Sequence, residues 1–528
     1  MTERGDWITP YVNGVRFLEK PPLLYWVTAV SFKIFGVNEI ALRLPTALAV
    51  IALVWLVLRI ARRISGEWAA LVAGLSTAFS AGTYIFTRET LHDIWLVLFV
   101  ALAMEAFTAW YMDPRRPARH ALLFYAATAG AALCKSLVGV ALPVGIVAVF
   151  FLLSRERPKW RTLHLLPGAL LFLGLTLPWH CFAAARNQGF LNFFFVGEQF
   201  LRFFGKREPP VLWEVPLVTF WALILVWFFP WTAFIPAAFA GIRKSSDKNR
   251  LLLVRLSAAW AGVILCFFSF TNRLEHYAFP ALPALSLLVA EVLSKDNDNK
   301  WTAWAFRGLA IFGILALAAG TCVSIWLAAG HGFQSGAAGP VDRLSETDFS
   351  ILGDMPPAVL SGLQKPAAVT VISLAIGFLA AHWFETRRRR VAAVMSLAAV
   401  MVVVCGMAHW SLNICEDLIS SKKFALAVSK EARAGDRLVV VGDYESANSL
   451  SFYQPLKVEV VDGTAYALIP GMMYPDAPKI IMTQQEFRAA WQSSGRVFAL
   501  GPRIRMAEWN IGGVEILSVL HRTLARNH

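Results

Sequence analysis

Apolar blocks of near-equal length succeed one another along most of this chain, separated by short polar loops. They cover 41–61, 68–87, 91–111, 119–134, 136–153, 163–184, 215–241, 252–270, 277–294, 304–328, 366–385 and 391–411. A helix needs about 20 mainly apolar residues to cross the hydrocarbon of a bilayer, so the pattern predicts about twelve spans. Segment 23–37 is apolar but short and is expected to lie as an interfacial helix. Two spans abut at Lys135 and require a tight turn there.

After 411 the pattern changes. Stretches 436–443 (DRLVVVGD), 457–463 (KVEVVDG), 496–501 (RVFALG) and 514–520 read as strands. SANSLSFY (446–453) and QQEFRAAW (484–491) read as intervening helices. Such alternation predicts a small α/β domain. The expected organisation is an outer loop with a juxtamembrane helix (1–40), a transmembrane domain (41–411) and an extracytoplasmic α/β domain (412–528). The fold class is an α-helical polytopic membrane protein. No internal repeat stands out.

Composition agrees. Of 528 residues, 57% are hydrophobic and 16% charged, against about a quarter charged in soluble domains. The net charge is +14 and the pI near 9.7. A basic chain invites a nucleic-acid reading, but the charge is concentrated in every second loop. These loops hold Arg59, Arg62 and Arg63; Arg115, Arg116 and Arg119; Arg155, Arg157, Lys159 and Arg161; Arg243, Lys244, Lys248 and Arg250; Lys295, Lys300 and Arg307; and the run 387–390. The positive-inside rule places them in the cytoplasm, and no nucleic-acid partner is expected. By parity both termini lie outside, which predicts a further span upstream of Met1 in a longer protein. Outer segments 1–40, 185–214 and 329–365 are long, and the last is expected to be mobile. The six cysteines show neither CxxC nor Cys/His ligand spacing, and the first 22 residues are too polar for a signal peptide. The α/β segment carries no GxGxxG or P-loop, so nucleotide binding is not expected.

Charges gather at the outer ends of the spans. Glu19 and Lys20 precede two prolines. Arg88, Glu89 and Asp93 lie in TRETLHD, Lys135 between two spans, Glu198, Gln199 and Arg202 in FFFVGEQFLRFFG, and Arg273, Glu275, His276 and Tyr277 in TNRLEHY. Each has an ordinary explanation: a lysine snorkelling to headgroups, a helix cap, an aromatic belt. Together, several cations beside a lipid surface suit a phosphodiester or pyrophosphate. A carboxylate among them suits a general base or a sugar-positioning group.

GDWITPYVNGVRFLEKPPLLYW, TRETLHDIW, LCKSLVGVALP, GEQFLRF and TNRLEHYAFPALPAL, in this order, resemble bacterial glycosyltransferases of the GT-C fold. These include the 4-amino-4-deoxy-L-arabinose transferases of lipid A and their protein mannosyltransferase relatives. The resemblance implies a membrane domain over a lipid-facing cavity, and transfer with inversion from a polyprenyl (undecaprenyl) phosphate sugar. The acceptor would be lipid A, a glycan or a protein, outside the cytoplasm at the bacterial inner membrane. It implies that Lys20 contacts the donor phosphate, that Arg202 contacts donor or acceptor phosphate, that Asp93, Arg88 and Lys135 line the cavity, and that Tyr277 sits over the donor. Arg273 would replace a lysine usual in the family. The family's general-base aspartate would fall upstream of Met1, leaving Asp93 a supporting role and this chain without its principal catalytic acid. Gln199 stands where arabinose transferases tend to have histidine. A metal using that histidine is therefore not supported, although Glu19 and Glu198 remain oxygen donors and no cofactor is otherwise called for. The alternative reading is a multispan transporter or lipid flippase, which predicts charges near the bilayer midplane and two related halves.

Overall fold

The structure is a computed structural model that describes residues 1–113, 115–157, 160–208, 214–242, 247–294, 300–328, 356–510 and 512–528. The outer loop expected to be mobile falls mostly outside the described residues. The chain forms two compact units, Met1–Ile8, Glu19–His331 and Lys365–Ala408 in one and Thr9–Leu18, Gly332–Gln364 and His409–His528 in the other.

The first unit is helical: α1 (Leu23–Phe35), α2 (Glu39–Ser65), α3 (Glu67–Ala78), α4 (Ala81–Phe86), α5 (His92–Met112), α6 (Pro117–Ser154), α7 (Leu165–Arg186), α8 (Leu217–Trp227), α9 (Ile235–Ile242), α10 (Lys248–Ser269), α11 (Leu282–Leu293), α12 (Lys300–Ala328), α13 (Pro357–Thr386) and α14 (Arg390–Ile414). Among the described residues nine helices are long and apolar enough to cross a membrane, ten with one bent pair. The protein is a multi-pass membrane protein.

Three departures from twelve simple spans have local causes. Segment 68–87 is broken into α3 and α4. Ser76 and Thr77 hydroxyls bond back to Ala73, and extended Ser80 caps α4 at Thr83, so hydroxyls compete with the helical ladder. Segment 215–241 bends by 99° between Leu217–Trp227 and Trp231–Ala240, where Pro230 has no amide proton to continue the helix.

The third is α6, which covers both predicted spans 119–134 and 136–153. Its backbone leaves helical geometry at Lys135 and Ser136, the latter with φ 51°. A Cβ on Gly139 would collide with the carbonyl of Ala131. In a continuous helix those residues would stand about 12 Å apart along the axis. The Tyr111 hydroxyl at the end of α5 also donates to Glu156, just past α6, at 2.8 Å. The chain therefore doubles back at Lys135 and its two arms form a hairpin. Gly139→Val should wedge the arms apart and cost about 1–3 kcal/mol or more of stability, as overpacking against backbone does. Thermal unfolding of the purified protein in detergent checks this, and an unchanged midpoint would contradict the hairpin.

The interior of this unit is built from α2, α3, α5, α6, α10 and α11, with Trp231, Trp260 and Phe228 fully buried. Helix α11, with the 3-10 turn before it, is the most enclosed span, at 89% of its window buried. Helices α12 and α13 leave most of their apolar surface outward, the mark of a lipid face.

The second unit is a six-stranded sheet of order β5-β4-β3-β6-β8-β7. Its strands are β3 (Arg437–Val441), β4 (Val458–Val461), β5 (Ile481–Met482), β6 (Val497–Pro502), β7 (Val514–Val519) and β8 (Arg522–Arg526); β1 (Tyr11–Val12) and β2 (Val15–Arg16) form a separate hairpin. Strands β3, β4, β5 and β6 are parallel, with Val440 opposite both Val460 and Leu500. Leu438 and Val440 enter one core and Val439 and Val441 the other, so the run LVVV is apolar throughout because both faces of the strand are covered. All four strands expected from the sequence form, and β5 and β8 are additional. The Asn13 side chain accepts from Val458 N at 2.9 Å and donates to Val458 O, which fastens the N-terminal hairpin to this unit.

Candidate functional site

Glu19 and Lys20 owe their position to Pro21 and Pro22. Proline lacks an amide proton and has a helix-compatible φ, so it suits the first turn, and α1 begins at Leu23 with Trp26 N bonded to Pro22 O. The charged pair is thus fixed just ahead of the interfacial helix. Asp93 sits in the first turn of α5, where the helix dipole favours an anion. Lys135 sits at the α6 reversal. Glu198 lies within a π-helix, Asn192–Leu201, a rare geometry often found at functional sites. Arg202 follows it. His276 and Tyr277 occupy the 3-10 turn Glu275–Ala281 that leads into α11.

These segments enclose a cavity of about 310 Å³. Its lining combines polar groups, among them Glu19, Lys20, Lys135, Glu198, Gln199, Arg202, Asn272 and Tyr277, with apolar ones that include five phenylalanines (Phe200, Phe203, Phe204, Phe267 and Phe268). Glu198 is the hub of the polar lining, with its side chain 1% exposed. It is 3.0 Å from Arg202 Nη1, 3.9 Å from Lys20 Nζ, and accepts from Arg207 Nε. Arg207 Nη2 also meets Glu19 at 2.5 Å. The second Arg202 nitrogen donates to the Tyr277 hydroxyl at 3.2 Å. Beyond Tyr277, Lys135 Nζ lies 4.0 Å from the ring centroid and 2.5 Å from Asp93 Oδ1, while His276 Nε2 is 3.6 Å from Asp93 Oδ2. Tyr277 therefore joins two charged clusters.

Burial alone would push the Glu198 carboxyl up, but Lys20, Arg207 and Arg202 hold it below its ordinary value. Burial, and then Arg202, lower Lys20, against the pull of Glu19 and Glu198. The site can offer Lys20 and Arg202 to an anion, and the phenylalanines of the same lining give apolar surface suited to a hydrocarbon chain.

Of the residues singled out in the sequence, Glu19, Lys20, Lys135, Glu198, Arg202 and Tyr277 line this cavity, and Asp93 joins it through Lys135. Arg88 is elsewhere, stacked 4.0 Å over Tyr84. Arg273 is committed to Glu214 at 2.6 Å and to the carbonyls of Val215 and Ser269. Arg207 was missed; its only signal is a second arginine soon after the FFFVGEQFLRF motif. His92, packed edge-on to Tyr25 at 5.2 Å, was also missed. Glu19 and Glu198, the two oxygen donors considered for a metal, are bridged by Arg207. Among the described residues no three His, Cys, Asp or Glu side chains converge as a metal site would require.

This fold, a polytopic helical unit accompanied by an α/β unit, has solved counterparts. The crystal structure of ArnT from Cupriavidus metallidurans bound to undecaprenyl phosphate shares this fold, with a TM-score of 0.81 over 100% of this chain and 91% of that one, at 23% identity. Its apo state gives 0.80 at 22% identity. Residues 19–182 match the family model of dolichyl-phosphate-mannose-protein mannosyltransferases. A protein of Aquifex aeolicus (strain VF5) is 32% identical over 298 residues, covering 56% of this chain and 65% of that protein. The undecaprenyl phosphate-alpha-4-amino-4-deoxy-L-arabinose arabinosyl transferase of Yersinia pestis (strain Pestoides F) is 28% identical over 342 residues, covering 62% of this chain and 58% of the relative. The matches thus span less than two thirds of these relatives' length. The resemblance read from the EKPP loop and the motifs after it is borne out.

Proposed function

We propose that this protein is an inverting glycosyltransferase that takes a sugar from a polyprenyl phosphate and passes it to a lipid, glycan or protein acceptor on the periplasmic side of the inner membrane. The observation that carries this reading is the mixed lining of the cavity, where Lys20 and Arg202 share the walls with five phenylalanines. A polyprenyl phosphate has the same two-part chemistry. The match to an ArnT fold solved with undecaprenyl phosphate, and to arabinosyl transferases, supports it over a transporter.

In the reaction the acceptor oxygen attacks the anomeric carbon from the face opposite the phosphate. The new carbon–oxygen bond forms as the bond to the phosphate oxygen breaks, and the electron pair leaves with the polyprenyl phosphate. Negative charge grows on that phosphate in the transition state, where preorganised cations are most effective. Lys20 and Arg202 supply them. Where the acceptor is a hydroxyl, its proton is released to water as the new bond forms. Asp93, tied to Lys135, serves as an electrostatic support for that side of the cavity.

The test is mass spectrometry of lipid and glycan extracts from a deletion strain carrying the full-length gene or an empty vector. A pentose or hexose increment that depends on the gene is expected. Identical extracts, together with no binding of undecaprenyl phosphate by the purified protein, would overturn the proposal.

A further inference from the structure

Arg207 lies beyond the residues that match the family model, yet it holds the most enclosed carboxylate of the cavity. Its side chain is 10% exposed. It bridges Glu19 and Glu198, which come from distant parts of the chain. Glu198 also meets Lys20 and Arg202, the two groups assigned to the donor phosphate.

The charge balance of this cluster makes Arg207 consequential. Two carboxylates, Glu19 and Glu198, face three cations, Lys20, Arg202 and Arg207. Without Arg207 the carboxylates would cancel Lys20 and Arg202, and no net attraction for an anion would remain. The other charged groups nearby do not alter this. Lys135 lines the same cavity but is matched by Asp93 at 2.5 Å, and His276 also faces Asp93. The carboxylates have a use of their own. Glu198 holds Arg202 Nη1 at 3.0 Å while Nη2 is held by Tyr277, so the guanidinium is fixed in two directions.

We propose that Arg207 is a positioning residue that neutralises Glu19 and Glu198, so that these carboxylates can orient Lys20 and Arg202 without consuming the positive charge that a phosphate needs. The inference rests on the reading of this cavity as a polyprenyl-phosphate site.

The experiment measures binding of undecaprenyl phosphate to the full-length protein in nanodiscs, over a range of pH, for wild type, R207A, R207K, the double variant R207A with E19Q, and K20A. R207A is expected to weaken binding by about thirtyfold or more, in the range seen when one partner of a buried charge pair is truncated. R207K should recover part of the loss, since it restores charge but not the two-pronged geometry. Adding E19Q to R207A should restore most of the affinity, because it removes the negative charge that Arg207 had balanced. In R207A the alkaline fall-off of binding should move to higher pH, as the unbalanced Glu19 and Glu198 now favour charged Lys20. If Arg207 only stabilised the fold, R207A would lower the melting temperature, E19Q would not rescue it and the alkaline limb would not move; that result overturns the inference. Undiminished binding in K20A would instead overturn the donor-site reading beneath it.

Discussion

Replacing Lys20 with alanine is expected to weaken undecaprenyl phosphate binding by about thirtyfold to several thousandfold, the span of roughly 2–5 kcal/mol for truncating one member of a buried charged contact. Lys20 is the cation of the EKPP loop that faces the cavity, and its side chain is only 24% exposed. Its ion-pair contact with Glu198 is long, at 3.9 Å, which leaves its ammonium able to turn to a phosphate. The fold should tolerate the change, because Glu198 keeps Arg202 and Arg207. The same residue predicts a pH dependence. Burial, and then Arg202, hold Lys20 below the ordinary 10.5 of a lysine. Phosphate binds the charged form, so affinity should be highest below that lowered value and fall as pH rises through it. Lys20→Arg should remove this alkaline limb, because a guanidinium stays protonated throughout. Titration of the lipid into protein-loaded nanodiscs across pH measures both effects. An unchanged dissociation constant in Lys20→Ala would remove Lys20 from the donor site.

Asp93→Asn should abolish sugar transfer and also destabilise the protein. The Asp93 side chain is 6% exposed and lies against Lys135, which is 10% exposed. Asparagine keeps the shape and loses the charge, so Lys135 becomes a buried cation without its counter-ion. Breaking a buried pair from one side costs about 3–5 kcal/mol. A companion variant separates the two effects. Asp93→Asn with Lys135→Met removes both charges, and a neutral pair of this kind often regains stability. It should therefore melt near the wild-type temperature while remaining inactive, since the cation beside Tyr277 is gone. Melting temperature and transfer are read on the same preparations. Transfer at the wild-type rate in Asp93→Asn would refute the assignment.

Membrane architecture was legible because it is a local property. A block of about 20 apolar residues marks a candidate span wherever it occurs. Even the turn at Lys135 could be read, since two short blocks meeting at one lysine leave no room for a loop. The breaks inside 68–87 and 215–241 were not foreseen. They depend on which hydroxyls turn back to their own helix and on how Pro230 is accommodated, and an apolar count does not see either.

The polar cavity was legible only in part. Glu19, Lys20, Lys135, Glu198, Arg202 and Tyr277 stood out because charged or polar groups at span ends are costly and therefore conspicuous. Arg273 was equally conspicuous, but its guanidinium closes on Glu214 and neighbouring carbonyls. Arg207 was overlooked because a basic residue in a polar loop looks like any other.

Chain order alone therefore established a many-span membrane protein with an appended α/β segment, and cations concentrated near the ends of its spans. Tertiary structure decided which of those cations share a cavity and which carboxylate each one meets. Hydrophobic partition is settled residue by residue, whereas an ion pair exists only when helix packing brings positions as far apart as 19, 198 and 277 within a few ångströms of each other.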